Sequence, residues 1–125
     1  MLMYIDGFLL ALPKKDVDAY RRWARRAGKV WRKHGALEVK ECVGDQLTGP
    51  DSTGKVHSPL PHLMKLERGE TVCFSYVLFK SRAHRDRVTA KVQRDPHSVK
   101  LMKPENMPFD PRRMAYGGFR VIVDL

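Results

Sequence analysis

Charged side chains inside strand-like stretches are the first chemistry this sequence offers. Asp6 interrupts the apolar run Met3–Leu12, Glu38, Lys40 and Glu41 stand within Ala36–Asp45, and Arg120 sits near the end of the chain. Strand interiors usually exclude charge, so a buried Asp6–Arg120 pair would mark a polar pocket. Groups paired in a cleft shift each other's pKa and can exchange protons with a substrate. A purely structural salt bridge has the same sequence signature. Trp31, His34, Tyr76 and Tyr116 form a second set. A tryptophan–tyrosine pocket with one histidine suits a flat aromatic molecule and proton transfer. Against that stands the ordinary role of Trp31 as core and of His34 as a donor to the last carbonyls of a helix. The candidate ligand-binding residues are therefore Asp6, Trp31, His34, Tyr76, Tyr116 and Arg120; none is assigned a catalytic step.

Other chemistries find little support. His57, His62, His84 and His97 show no H-E-x-x-H or facial-triad spacing, and Cys42 and Cys73 form no C-x-x-C pair. No metal site and no cofactor are expected. No phosphate-cradling glycine loop and no G-x-S-x-G elbow occurs. The two cysteines read as buried free thiols of a reducing cytosol.

The charge is uneven. The chain of 125 residues carries a formal +10. Lys14–Lys33 holds nine basic and two acidic residues, Lys80–Lys103 eight and two, and the remainder is net negative. Basic charge gathered on two helices is either a phosphate-binding footprint or a solvated face. No apolar run approaches the roughly 20 residues that span a bilayer. The opening residues lack the cationic region of a signal peptide, so a cytoplasmic location is expected.

The elements that must position these residues follow from periodicity. Met3–Leu12 reads as a strand closed by Pro13. Lys14–His34 is a helix, with Val17, Tyr20, Ala24, Ala27, Trp31 and His34 at steps of three and four. Its other positions are mostly Lys and Arg, and Gly35 can take the left-handed conformation that ends it. Ala36–Asp45 is a second strand, in which Leu37, Val39, Glu41 and Val43 alternate with Glu38, Lys40 and Cys42. Gln46–Gly69 is a long connection, of the kind that is usually functional or mobile, with one short helical turn at Leu63–Leu66. Glu70–Lys80 is the strongest strand. Ser81 caps a helix over Arg82–Arg94, Asp95-Pro96 breaks it, and Pro96–Met102 adds a turn. Lys103–Met114 is irregular, and Ala115–Leu125 is the last strand.

The order is β-α-β-β-α-β, an α+β ferredoxin-like domain over residues 1–125 with a four-stranded antiparallel sheet. Both helices then cover one face, and residues alternate between faces. Met3, Ile5, Leu9 and Ala11, with Phe119, Val121 and Val123, are assigned to the helices. Tyr4, Asp6, Phe8 and Leu10, with Phe74, Tyr76, Leu78, Arg120 and Asp124, are assigned to the open face. An apolar patch of that size calls for a second sheet or a ligand.

Several blocks carry a resemblance: Tyr4-Ile5-Asp6-Gly7-Phe8, His34-Gly35-Ala36-Leu37, Glu41-Cys42-Val43-Gly44-Asp45, Gly69-Glu70-Thr71-Val72 and Met107-Pro108-Phe109-Asp110. The run from Arg113 through Tyr116-Gly117-Gly118-Phe119 is the most specific. Together they resemble the bacterial YbaA-like family of unknown function, domain of unknown function 1428, across nearly the whole chain. Pro111, in place of a common glycine, and the very basic first helix depart from it. The resemblance implies a homodimeric α/β barrel in which two such sheets close face to face. It implies no activity, since fold does not dictate function. The expected role is small-molecule binding or cofactor-free catalysis in that barrel.

The rival is an RNA-binding module, because RNA-recognition domains share this element order and stack bases on strand aromatics. Its residues would be Tyr4, Phe74 and Tyr76 with Arg22, Arg25, Arg26 and Lys29. Val72-Cys73, however, stands where that motif wants a basic residue and glycine.

Overall fold

A computed structural model describes residues 2–55, 57 and 59–125. Strand β1 spans Tyr4–Pro13 and leads through a 3-10 turn at Lys14–Asp16 into helix α1, Val17–Lys33. The single helix expected over Lys14–His34 is thus a tight turn followed by α1. Gly35, at φ +117°, ends it in a conformation that side chains disfavour. Strand β2 covers Glu38–Val43. In the long connection a short helix α2 forms at Leu60–Leu63, slightly before the expected turn at Leu63–Leu66; Val56 and Ser58 of that connection lie outside the described residues. Strand β3 spans Glu70–Phe79 and helix α3 Arg82–Arg94. The Ser81 side chain accepts the His84 amide and so caps α3. Helix α4, Pro96–Leu101, starts at Asp95, whose carboxylate accepts the His97 amide. Two more 3-10 turns, Pro104–Asn106 and Pro111–Arg113, precede strand β4, Met114–Arg120.

The sheet is antiparallel throughout, in the order β2-β3-β1-β4. That is the split βαβ arrangement the element order predicts. Tyr4 pairs with Phe79 and Arg120, and Leu10 with Cys73 and Met114. The core lies between the sheet and the helices. One cluster joins Tyr4, Val77 and Phe79 to Val30, Val88 and Val92; another joins Leu10, Leu12 and Cys73 to Tyr20 and Ala24.

This register reverses the assignment made for β1. Tyr4, Asp6, Phe8 and Leu10 face the helices, and Ile5, Leu9 and Ala11 belong to the opposite face. Both parities of β1 are apolar, so alternation alone does not choose a side. The choice comes from β3, whose Cys73, Val77 and Phe79 are buried against α1 and α3. Phe74, Tyr76 and Leu78 lie on the open face as expected. Phe119 pairs with Ile5 and joins them there. Arg120, paired with Tyr4, has the parity of the helix face. The chain leaves the sheet after Arg120, with one further bond from the Val121 amide to the Met3 carbonyl, so Val123 and Asp124 are not strand residues. Cys73 is buried, but Cys42 is exposed, because β2 is an edge strand and Cys42 is on its open face. Among the described residues no helix is long and apolar enough to cross a membrane.

A candidate ligand cavity under the helices

A cavity of about 310 Å³ opens between the helix face of the sheet and helices α1, α3 and α4. That volume is at the lower end for small-molecule sites. Phe8, Trp31, Val39 and Val77 wall one part of it, and Tyr20, Trp23, Phe109 and Met114 another. The wall is ordered by aromatic contacts. Trp23 and Phe109 meet edge to face at 5.0 Å between centroids, Tyr20 and Phe109 at 5.8 Å, and Trp31 meets Phe79 at 6.0 Å. Such pairs add roughly 0.5–1.5 kcal/mol each beyond their burial. The Trp23 indole N–H donates to the Leu101 carbonyl at 2.9 Å, fixing the ring against α4.

The polar groups of the cavity are few. Tyr20 Oη donates to Glu41 at 2.6 Å, and Ser75 lies beside them on β3. Glu41 also lines a surface cleft with Arg21, Arg22 and Arg25. It therefore stands in the wall between solvent and interior. Burial pushes its carboxyl above the ordinary value, and the Tyr20 bond only partly opposes this. Burial, then the neighbouring Glu41, pushes the Tyr20 hydroxyl far upward. A carboxyl that borders both compartments can carry a proton to or from a bound molecule. On the other side Thr89 lines the cavity from α3. Its hydroxyl is the one buried side-chain polar atom without a hydrogen-bond partner among the described residues. Cys73, pushed up to about 11 by burial, is a poor nucleophile.

Of the residues expected from sequence, Trp31 lines this cavity and the others lie elsewhere. Asp6 is buried, but its partner is Arg85 of α3 at 2.8 Å, not Arg120. Arg85 also donates to Tyr116 Oη at 3.1 Å and lies 4.8 Å from the centre of the Tyr4 ring. Burial pushes the Asp6 carboxyl up, and Arg85 opposes it. Burial alone would lower Arg85; the hydrogen bond to Asp86 and the charge of Asp6 instead hold it high. Tyr116 meets the Phe8 ring at 5.2 Å, at the edge of the sheet. Arg120 is exposed. His34 reaches Asp95 at 2.7 Å, and Lys33 approaches the same oxygen at 3.3 Å. The His34 hydrogen bond above all holds the Asp95 carboxyl well below its ordinary range. This cluster ties the end of α1 to the start of α4. Tyr76 lies on the open face and donates to Glu38.

The two halves of the RNA-type pattern also part. Tyr4 is buried on the helix side, Phe74 and Tyr76 face the other way, and Arg22, Arg25, Arg26 and Lys29 are exposed on α1. The sheet itself separates the open-face aromatics from the basic helix.

Tyr20, Glu41, Thr89 and Arg85 were absent from the sequence-derived site. Glu41 did leave a signal, a carboxylate at the apolar parity of β2. Thr89 and Arg85 left none, because α3 is weakly amphipathic.

Among the described residues no cluster of three or more His, Cys, Asp or Glu could hold a metal ion. A family model described as "Protein of unknown function (DUF1428)" matches residues 3–111. The uncharacterized protein YbaA of Escherichia coli K12 is 38% identical over 123 residues, covering 98% of this chain and 99% of that one. The Shigella flexneri protein of the same description matches equally. Among solved structures, a dimeric ferredoxin-like protein from an uncultured marine organism aligns over 100% of both chains at a TM-score of 0.56 and 11% identity. That likeness concerns the fold.

Proposed function

The chain belongs to the DUF1428 family of proteins of unknown function, and on that premise we propose that it binds a flat, largely apolar small molecule in the cavity under its helices. The observation that carries the reading is an aromatic-walled cavity with an unpartnered buried hydroxyl, Thr89, and an accessible carboxyl, Glu41. Empty apolar space costs dispersion contacts, and an unpaired buried donor costs a hydrogen bond. A ligand with an acceptor near Thr89 relieves both. Glu41 gives the site the means to exchange a proton with that ligand.

In this reading residues 1–125 act as a single domain, and two copies pair through the open sheet face. Phe74 is 46% exposed and Phe119 59%, with Ile5, Leu9, Tyr76 and Leu78 around them. A continuous apolar face of this kind belongs in an interface. The dimeric description of the marine protein supports it. Asp6, Arg85 and Tyr116 serve as an anchor for α3, and His34 with Asp95 as an anchor for α4. The exposed thiol of Cys42 suits a reducing, cytoplasmic compartment.

The test uses N-phenyl-1-naphthylamine, a neutral probe that brightens in apolar sites. Saturable enhancement is expected, lost in Ala27→Phe, which fills the cavity, and kept in Phe74→Glu, which alters only the open face. Enhancement that survives Ala27→Phe and disappears with Phe74→Glu would place the probe on the sheet and sink the cavity reading.

A further inference from the structure

On the outer side of α1 a second concavity, a groove of about 710 Å³, runs between α1 and α4 and continues to Asn106 and Pro108. Its composition is unlike that of the interior cavity. Arg22, Arg26, Lys29 and Lys33 stand at i, i+4, i+7 and i+11 of α1, along one face for about 16 Å. Lys100 and His97 of α4 face them. The floor between is apolar: Ala19, Trp23, Val30, Leu101 and Pro108.

Four cations of this groove are free to act. Arg22, Arg26, Lys29 and Lys100 have no ion-pair partner among the described residues. The one carboxylate in the lining, Asp95, already takes Lys33 at 3.3 Å, His34 at 2.7 Å and the His97 amide at 2.9 Å. Like charges so close repel one another, and an anion between them relieves that repulsion. Two arginines present planar forks suited to phosphate oxygens.

A row of cations alone would fit any polyanion. The apolar floor adds a requirement. Trp23 is held edge-on by Leu101 and Phe109, so its place is fixed before anything binds. A ligand that uses both features has an apolar or planar body and more than one negative group.

We infer that the groove between α1 and α4 binds a small planar molecule carrying several phosphates, a nucleoside polyphosphate being the type. The phosphates lie along Arg22, Arg26 and Lys29, and the ring lies on the floor over Trp23, Leu101 and Pro108. The groove shares Trp23 and Leu101 with the interior cavity but is reached from the outer side of α1, and the inference does not rest on that cavity being occupied.

Calorimetry with adenosine triphosphate, inorganic tripolyphosphate and a single-stranded oligonucleotide tests it, at low salt and without divalent cations. The triphosphate nucleoside is expected to bind one per chain, more tightly than tripolyphosphate, and to weaken as salt rises. R22E/R26E is expected to lower its affinity by at least about tenfold, the scale of one lost charge-assisted bond. R82E/R87E, on the exposed side of α3, is expected to leave it within about twofold, since distant exposed charges are screened. Circular dichroism and thermal melting establish that both variants remain folded. Tripolyphosphate binding as tightly as the nucleotide would overturn the role of the floor. An oligonucleotide binding far more tightly, and lost in R22E/R26E, would make the groove a strand-binding surface and overturn the small-molecule assignment. Equal losses in the two double variants, or no binding by any of the three, would also overturn it.

Discussion

Replacing Thr89 with valine should stabilise this protein, against the usual effect of a substitution near the core. Thr89 Oγ1 is buried, lines the cavity and makes no hydrogen bond. An unpaired buried hydroxyl costs about 1–3 kcal/mol, the desolvation it suffers without return. Valine keeps the branched shape, and valine and threonine have similar helix propensities, so α3 should be undisturbed. We take the lower end, a gain of about 1 kcal/mol, because the valine methyl still borders open space. With an unfolding entropy of about 2.1 cal/mol/K per residue, a chain of 125 residues should gain about 4 °C in Tm. Urea unfolding of the ligand-free protein reads the free energy, and a thermal scan reads the shift. A loss of about 1 kcal/mol or more would refute the reasoning. It would mean that the hydroxyl is satisfied in solution by ordered water, and that the cavity is a wet site rather than an apolar one.

The neighbouring glycines of β4 should separate cleanly. A Cβ on Gly118 would lie 2.9 Å from Tyr4 Cε2, under a buried ring held by Arg85, so Gly118→Ala should cost about 1–3 kcal/mol. A Cβ on Gly117 would meet Phe119 at 3.0 Å, but on the single chain that ring is exposed and can turn, so in the Phe74→Glu background, which keeps the open face uncovered, Gly117→Ala should cost no more than about 0.5 kcal/mol. Equal costs in urea unfolding would contradict this account of the packing. Burial holds the folded Glu41 carboxyl above its ordinary 4.5. The stability it contributes is therefore complete below that value and is lost as pH rises through the folded one. Measured from about pH 4 to about pH 7, Glu41→Gln should gain on the unmodified protein as pH rises; a trend in the opposite direction would show a well-solvated carboxylate. Finally, Phe74→Glu should convert a dimer to monomers in sedimentation, since a charge on each copy would be buried against its twin. A dimer that persists unchanged would move the interface away from the open sheet face.

Local patterns were enough for the skeleton of the fold. The three- and four-residue spacing of Val17, Tyr20, Ala24 and Trp31 specified α1, Gly35 ended it, and Ser81 capped α3, because these effects act within a turn or two of chain. The order of elements matched the split βαβ arrangement, as did the resemblance, and the sheet has that strand order. What local pattern could not supply was the side on which β1 buries its residues. Its two faces are equally apolar, and only the pairing of Tyr4 with Phe79 and of Leu10 with Cys73 settled which one met the helices. The partners of the buried charges were likewise non-local. Asp6 found Arg85, 79 positions away, and His34 found Asp95, 61 positions away. Hydrophobic periodicity says nothing about such pairs, since it records which residues avoid water and not which polar atoms they meet. The cavity is tertiary in the same sense. It is the space left where α1, α3 and α4 cannot all reach the sheet, so residues such as Tyr20, Glu41 and Thr89 share a site that no stretch of sequence contains.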